Sequence, residues 1–254
     1  YLTATNVTTR NPETGTQNMG TYRAGLKASD RLALRMVARP GGAEGHTHWE
    51  MWKKMGQKMP CAIVVGCPPP VAYVGPQKLP VGVEEMAVAG GLAGKPIRQV
   101  KCKTVDLLVP AESELVIEGL VDVEILEPEA PFAESHGHVA LEGYNCVMEV
   151  TAITHRRDAV FTSIISQLTP SESSVIKRIA YEPIYLSHLR DTLGIKGVKR
   201  VYLHEALTNL RKILFIQVER GVPTTEVWRA LYGCSNLAAA IGKYVIAVDE
   251  DIDP

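Results

Sequence analysis

The chain of 254 residues suits one large domain or two small ones, and 46% hydrophobic with 22% charged residues is a globular composition. A net charge of -1 leaves no basic excess for a nucleic-acid backbone, which excludes DNA and RNA as expected partners. No apolar run approaches the roughly 20 residues of a membrane helix, and the N-terminus has no signal-peptide pattern, so we expect a cytoplasmic protein without a membrane span.

Short β-strands dominate the first two thirds of the predicted secondary structure. Apolar and β-branched runs, bounded by Gly, Pro or charged residues, predict five of them. They cover residues 61–65, 97–101, 115–121, 147–154 and 159–163. Two proline-free stretches with helical apolar spacing, residues 46–57 and 83–92, predict short helices over these strands. Several short strands at irregular spacing indicate a β-barrel.

The last third of the chain has the alternating helices and strands of an α/β unit. A helix is predicted over residues 173–192, with Ser173 or Ser174 as its N-cap and Gly194 near its C-terminus. Strands at residues 198–203, 212–219 and 244–249 and a helix at residues 224–240 complete the prediction.

Acidic residues concentrate at residues 127–138, where two prolines exclude a regular helix or a central strand. Glu129 and Glu134 are therefore expected on a shaped loop that can direct both carboxylates to one point. Paired carboxylates in a confined site take different pKa values, which lets one donate a proton while the other stays ionised. A solvated acidic loop is the alternative interpretation from composition.

Five further residues have the chemistry of ligand or metal binding. Asn18 lies five residues before Arg23, whose guanidinium can bind a carboxylate through two parallel hydrogen bonds. His46 and His48 lie near a predicted helix start, and a metal site there needs a carboxylate such as Glu85 from elsewhere. Surface histidines are the alternative interpretation.

Other patterns narrow the range of functions. Residues 90–94 are glycine-rich but lack the lysine and the preceding strand of a phosphate-binding loop, so ATP and NAD are not indicated. The five cysteines form no C-x-x-C pair, which argues for buried thiols rather than disulfides or zinc ligands. A metal-dependent hydrolase remains a separate hypothesis, and its candidate ligands are His46, His48, His136 and His138.

Five segments, in order from the first twenty residues to the last ten, resemble the UbiD family of reversible decarboxylases, whose cofactor is prenylated FMN. Residues 17–23, Gln-Asn-Met-Gly-Thr-Tyr-Arg, resemble the family pattern Q-N-x-G-x-Y-R. Residues 129–134 resemble its E-G-P-[FY]-[GS]-[ED] loop, with alanines at two small-residue positions. The other similar segments are residues 79–90, 100–119 and 248–254.

The resemblance implies an α+β fold, namely a split β-barrel like that of flavin reductases, with surrounding helices and a C-terminal α/β portion. It implies that residues 1–254 form a single prenylated-FMN-binding domain, a fragment of a protein with further domains before and after it. Residues 249–254 would begin the linker to the following domain.

The resemblance also implies a metal site. Asn18, His48 and Glu85 match the residues that hold a divalent ion, Mn²⁺ or Mg²⁺, which clamps the cofactor's phosphate. His46 is the alternative to His48, because the two lie only two positions apart. K⁺ is a further candidate ion.

The remaining site residues come from the same resemblance. Arg23, Glu129 and Glu134 match the catalytic residues, with Glu134 as proton donor and Arg23 as the partner of Glu129. Pro40 stands where some members have arginine. The residues that match flavin contacts are Thr21, Tyr22, Arg23, Arg35, Met36, Val37, Pro40 and Gly41.

The implied function is reversible, non-oxidative decarboxylation of an aromatic, heteroaromatic or α,β-unsaturated carboxylic acid. Decarboxylation needs an electron sink that no side chain supplies, so the cofactor must supply it. The implied partners are the acid substrate, a flavin prenyltransferase as cofactor source, and further copies of the full-length chain in a homo-oligomer. The alternative is a module that binds flavin phosphate and metal without turnover, because the domain that closes the pocket is missing.

Overall fold

The computed structural model describes residues 1–36, 43–77, 79, 83–129, 131–133, 139–140, 143–165, 169–204, 212–237 and 242–254. The chain divides into two compact units, the first comprising Tyr1–Phe132 and Leu141–Ser163 and the second Ala133–Ala140 and Ile164–Pro254. A single domain over the whole chain stays a prediction. None of the helices in the ranges given above is long and apolar enough to cross a membrane.

A seven-stranded antiparallel sheet organises the first unit. Its strands are β1 (Thr5–Arg10), β2 (Gln17–Gly20), β3 (Ala24–Ala28), β4 (Arg31–Leu34), β5 (Met59–Val65), β8 (Leu115–Pro128) and β11 (Tyr144–His155). Their order in the sheet is β2-β1-β5-β8-β11-β4-β3. An isolated bridge between Leu2 and Ala24 connects the segment before β1 with β3. The two edge strands are not paired along their lengths in the described part of the chain, so the split barrel stays a prediction.

Three helices and four short strands complete the first part of the chain. They are α1 (Glu44–Lys54), α2 (Pro69–Val74), α3 (Glu85–Ala93), β6 (Gln99–Lys101), β7 (Leu108–Pro110), β9 (Phe132–Ala133) and β10 (Val139–Ala140). Apolar clusters cover both faces of β5: Cys61 and Ile63 belong to one, which includes Trp49 of α1, and Ala62 and Val64 to the other. A strand buried on both faces has a continuous apolar sequence rather than an alternating one.

The second unit is of the α/β type. It contains α4 (Glu172–Ser187), a π-helical turn (His188–Thr192), β12 (Val198–Leu203), β13 (Ile213–Val218), α5 (Thr224–Leu237) and β14 (Tyr244–Asp249). β13 pairs antiparallel with β12 and parallel with β14, and α5 connects the parallel pair. After β14, the carbonyls of Glu250 and Ile252 accept hydrogen bonds from Gln217 at 3.0 and 2.8 Å. The assignment of a linker to residues 249–254 stays a prediction.

The structure confirms most predicted elements and corrects two. Residues 159–163 form no strand; they are largely exposed, and the Val160 amide donates to the Glu114 side chain at 3.1 Å rather than to a neighbouring strand. The N-cap of α4 is Ser171, which forms a capping box with Ser174. Gly194 follows this helix with a positive φ of 72°, as the C-terminal signal predicts. All five cysteines are free thiols, and four of them are buried.

A buried carboxylate in the central strand β8 fixes the loop before β7. Glu118, 1% exposed, accepts hydrogen bonds from the Lys103 amide at 2.8 Å and from the amide and hydroxyl of Thr104 at 2.6 and 2.8 Å. Burial acts to raise the pKa of Glu118, but these hydrogen bonds outweigh it and the pKa lies below its ordinary value. The loop therefore depends on an ionised glutamate.

Replacing Glu118 with alanine should lower the free energy of unfolding by about 3 kcal/mol, because it leaves the amides of Lys103 and Thr104 without this acceptor. Urea denaturation measures this change. Glu112→Ala, which removes an exposed ion pair with Arg98, is the control and should leave the stability nearly unchanged. Since the pKa of Glu118 is depressed, its stabilisation should be complete above the ordinary glutamate pKa and be lost as the pH falls through the lowered one. A wild-type acid profile in Glu118→Ala would contradict this role.

Candidate functional site

The predicted metal ligands come from three elements that meet beside the edge strand β2. Asn18 belongs to β2, His48 to the first half of α1, and Glu85 is the first residue of α3. All three are buried, with exposed fractions of 5%, 2% and 8%. Polar side chains are rarely buried without a partner, so their convergence needs a physical reason.

Hydrogen bonds through neighbouring residues connect the three side chains. Thr9 of β1 is the cross-strand partner of Asn18, and its hydroxyl lies 2.9 Å from His48 Nδ1. The amide of Met19, the residue after Asn18, donates to Glu85 Oε2 at 3.0 Å. Thr9 therefore fixes the His48 ring through Nδ1, which leaves Nε2 as the nitrogen that can bind a ligand.

The protonation states suit a cation. Burial lowers the pKa of His48 to about 4, so its imidazole is neutral at physiological pH, the form that binds metals. Burial also raises the pKa of Glu85, and the nearby carboxylates of Glu44 and Glu84 add to this effect against the Met19 hydrogen bond. A bound cation would reverse this destabilisation of the Glu85 carboxylate.

The donor set fits a hard divalent ion. A cation would bind Asn18 through its amide oxygen, Oδ1, while the amide nitrogen, Nδ2, is a buried donor without a hydrogen-bond partner. One amide, one imidazole and one carboxylate suit Mn²⁺ or Mg²⁺ and leave positions for phosphate oxygens and water. The described residues contain no cluster of three His, Cys, Asp or Glu placed to hold a metal, so a site here depends on the Asn18 amide.

The two histidines of α1 differ in their surroundings. His46 lies 3.9 Å from the exposed Glu50 and packs against the Trp49 ring, whereas His48 is the one that contacts Thr9. His136 and His138, the other candidate ligands of a hydrolase, lie outside the described residues.

A small cavity adjoins the candidate metal ligands. Its volume is about 170 Å³. The lining residues nearest in sequence to the ligands are Gln17, Asn18, Met19, Glu84, Glu85 and Met86. Asn18 and Glu85 thus line space for a small polar group, whereas His48 does not line this cavity.

A second polar centre joins the segment before β3 to the end of β8. Arg23 donates from Nε to Glu129 Oε1 at 2.7 Å and from Nη2 to Oε2 at 2.8 Å. This side-on geometry with two parallel hydrogen bonds is the strongest arginine–carboxylate arrangement. Glu129 is 5% exposed, and its backbone amide donates to the Gly143 carbonyl at 2.8 Å. The pair therefore has a fixed position in a largely dry environment.

The Arg23–Glu129 pair determines the charge of the glutamate. Burial acts to raise the pKa of Glu129, but the hydrogen bonds and charge of Arg23 outweigh it, with a further contribution from Arg35. The pKa of Glu129 therefore lies below its ordinary value and the side chain is ionised at neutral pH. Phe132 packs 4.2 Å from the Arg23 guanidinium and restricts its orientation.

The structure describes five of the eight residues that match flavin contacts. Thr21 is exposed and Met36 is buried. Tyr22 accepts a hydrogen bond from the Gly45 amide at 3.3 Å, which connects the loop after β2 with the start of α1. A Cβ at Gly45 would lie 3.0 Å from the Tyr22 ring, so this close approach favours glycine. Val37, Pro40, Gly41 and the predicted proton donor Glu134 lie outside the described residues.

Sequence reasoning missed several residues that support both centres. Thr9, Gly45, Gly143 and Asn145 contact site residues, but none belongs to a recognisable motif. The β-branched residues of β1 were a signal for a strand around Thr9. No sequence signal pointed to Asn145, which reaches the site only through strand pairing.

Comparisons with known proteins identify the family. The sequence model of the UbiD family, the 3-octaprenyl-4-hydroxybenzoate carboxy-lyase Rift-related domain, matches residues 1–168. An uncharacterized protein of Aquifex aeolicus is 36% identical over 100% of this chain and 51% of its own length.

Solved structures give the same result. The UbiD-class enzyme HmfF from Pelotomaculum thermopropionicum, an evolved dimeric form in complex with prFMN, has a TM-score of 0.91 and 30% identity over 99% of this chain and 56% of that chain. The open form of vanillic acid decarboxylase from Sedimentibacter hydroxybenzoicus, with truncated ShVdcD, has a TM-score of 0.84 and 25% identity over 100% of this chain and 52% of that chain.

The mixed α+β fold is thus that of the UbiD-class decarboxylases. The chain belongs to the UbiD family. It spans about half the length of the curated relatives it matches.

Proposed function

We propose that this chain provides the cofactor site and catalytic residues of a reversible, non-oxidative decarboxylase. The substrate is an aromatic, heteroaromatic or α,β-unsaturated carboxylic acid, and the cofactor is prenylated FMN with Mn²⁺ or Mg²⁺, K⁺ being a further candidate ion. The observation that carries the proposal is the buried, side-on pair of Arg23 and Glu129, which places a fixed guanidinium in a chain of this family.

The chain's own residues position the reactants and move the proton. Arg23 binds and orients the substrate carboxylate, and Glu129, which stays ionised, fixes the guanidinium. Glu134 delivers the proton to the carbon that loses CO₂. Prenylated FMN, when bound, supplies the electron sink for the electron pair left after CO₂ departs.

The metal and flavin contacts are the second part of the proposal. Asn18, His48 and Glu85 would hold the divalent ion that binds the cofactor's phosphate, in agreement with the neutral imidazole of His48. Thr21 and Tyr22, in the loop after β2, would contact the flavin. The other proposed flavin contacts are Arg23, Arg35, Met36, Val37, Pro40 and Gly41. The seven-stranded sheet would be a split barrel.

The similar structures support this class of cofactor and substrate. HmfF was solved in complex with prFMN, and the Sedimentibacter enzyme is a vanillic acid decarboxylase. The proposed partners are therefore a small carboxylic acid and a flavin prenyltransferase that supplies the cofactor. The dimeric form of HmfF supports a homo-oligomer for the full-length protein.

The test uses full-length protein produced together with a prenylated-FMN source. We expect a flavin absorption spectrum, release of CO₂ from at least one acid in an aromatic and heteroaromatic panel, and H/D exchange at the product carbon. Glu134→Gln should keep the flavin but lose both CO₂ release and exchange, because it cannot donate the proton. Glu172→Gln, an exposed glutamate at the start of α4, is the control and should behave as wild type.

The outcomes distinguish three possible functions: a decarboxylase, a binding module and a hydrolase. Turnover by the full-length protein, together with flavin binding but no turnover by this chain alone, would favour the binding module for the isolated chain. Zinc without flavin would favour a hydrolase. Exchange at the wild-type rate in Glu134→Gln would show that another group delivers the proton.

A further inference from the structure

Arg35 places a second guanidinium on the Glu129 carboxylate. Its Nε lies 3.9 Å from Glu129 Oε2, the oxygen that also accepts the Arg23 Nη2 hydrogen bond at 2.8 Å. Its Nη1 donates to the Oδ1 of the buried Asn145 at 3.3 Å. We call Arg23, Arg35 and Glu129 the two-arginine cluster.

The backbone next to Glu129 determines where Arg35 lies. A Cβ added at Gly143 would lie 2.6 Å from Arg35 Nη1, so a side chain there would displace the flexible end of Arg35. The carbonyl of Gly143 accepts the Glu129 amide hydrogen bond at 2.8 Å. The absence of a side chain at position 143 thus lets the Arg35 guanidinium pass beside the turn that holds Glu129.

The charges in the two-arginine cluster do not balance. Arg23 and Glu129 form an ion pair with no net charge, which attracts a distant anion only weakly. Arg35 adds one positive charge, and it is half-buried, so solvent screens it less than an exposed arginine. The nearby Glu127 does not cancel this charge, because it pairs with Arg31 at 3.1 Å and lies 3.8 Å from Lys27.

We infer that Arg35 is a positioning residue that acts through Glu129 and gives the two-arginine cluster the net positive charge that recognises a substrate carboxylate. This inference rests on the proposed function, because it takes the substrate to be an organic acid. Arg35 holds Glu129 from a second direction, so that Arg23 keeps one orientation toward the incoming carboxylate. It makes anion recognition a property of the cluster rather than of Arg23 alone.

The first experiment measures kinetics of the cofactor-loaded, full-length protein. Arg35→Gln should raise KM for the acid substrate by about tenfold and change kcat by less than about threefold, because the lost charge acts mainly in binding. Arg35→Lys should recover most of the affinity. Gly143→Ala, which keeps the charge but displaces it, should resemble Arg35→Gln. Arg98→Gln, which removes an exposed ion pair with Glu112, is the control and should keep the wild-type KM.

Two further readouts need no turnover. Benzoate, a simple aromatic carboxylate, should bind about tenfold more weakly to Arg35→Gln than to wild type in calorimetric titrations. The denaturation midpoints of Arg35→Gln, Glu129→Gln and the double variant should be non-additive, since the two side chains interact directly.

The results distinguish failure of the inference from failure of the proposed function. Additive stabilities together with unchanged benzoate binding would overturn the role of Arg35, as would loss of flavin from Arg35→Gln without either effect. A wild-type protein that turns over no acid would overturn the proposed function, while benzoate binding and non-additivity would still decide whether the cluster recognises a carboxylate.

Discussion

Replacing Arg23 with alanine in the full-length protein is expected to lower kcat/KM by about 10³-fold or more while flavin and metal stay bound. The guanidinium makes two hydrogen bonds to Glu129, at 2.7 and 2.8 Å. Its loss removes the group that we propose to orient the substrate carboxylate. It also leaves the buried carboxylate of Glu129 with one cation fewer, which raises the pKa of Glu129.

A conservative variant separates charge from geometry. Arg23→Lys keeps a positive charge, but a lysine ammonium cannot bind both oxygens of Glu129 in the side-on arrangement. We therefore expect only a small recovery of kcat/KM. Steady-state kinetics and the absorption spectrum of bound flavin measure turnover and cofactor content on the same sample.

The control for Arg23 is an arginine in an exposed ion pair. Arg98→Ala removes such a pair with Glu112, at 2.7 Å, and should keep wild-type kinetics. Full activity of Arg23→Ala would remove this residue from the reaction. Loss of flavin in parallel with activity would instead assign Arg23 to cofactor binding.

The second large effect is expected at the candidate metal ligands. His48→Ala should weaken Mn²⁺ binding by at least about 100-fold, because it removes one of the three proposed ligands and the ring that Thr9 orients. Asn18→Ala and Glu85→Gln should act in the same direction. Metal analysis and Mn²⁺ titration followed by electron paramagnetic resonance measure the affinity.

The neighbouring histidine is the matched control for this experiment. His46 belongs to the same helix but contacts Trp49 and the exposed Glu50, so His46→Ala should keep the wild-type Mn²⁺ affinity. The flavin content should fall together with the metal in His48→Ala, since the metal is proposed to bind the cofactor's phosphate. The reverse result, with metal lost only from His46→Ala, would exchange the roles of the two histidines.

The pattern of apolar residues in the sequence predicted the strands and helices that are buried through apolar side chains. The run from Cys61 to Val65 predicts β5 because its first four residues belong to two apolar clusters and Val65 is buried as well. β1 escaped prediction for the opposite reason. Thr5, Asn6, Thr8 and Thr9 are all buried there, and a buried polar strand has no hydrophobic period to detect.

In the candidate site, too, some contacts could be predicted from the sequence and others could not. The resemblance to a family brought Arg23 and Glu129 together, although they lie 106 positions apart in sequence. Sequence reasoning could not place Arg35 beside Asn145, since that contact depends on the register in which β4 pairs with β11. Contacts of this kind follow from tertiary structure, and residue type alone does not reveal them.

The strand order of the sheet has a consequence for how the chain folds. β3 and β4 can form a local hairpin early, but the sheet neighbour of β4 is β11, which is more than a hundred residues later in the sequence. The opposite edge is built from β1 and β2, which reach β11 only through β5 and β8. Such non-local pairing slows folding, because the intervening loops lose entropy before the contacts form. During synthesis, the β3–β4 hairpin therefore keeps an unpaired edge until β11 leaves the ribosome. We expect the nascent chain to depend most on chaperones during this period, because an unpaired strand edge can aggregate.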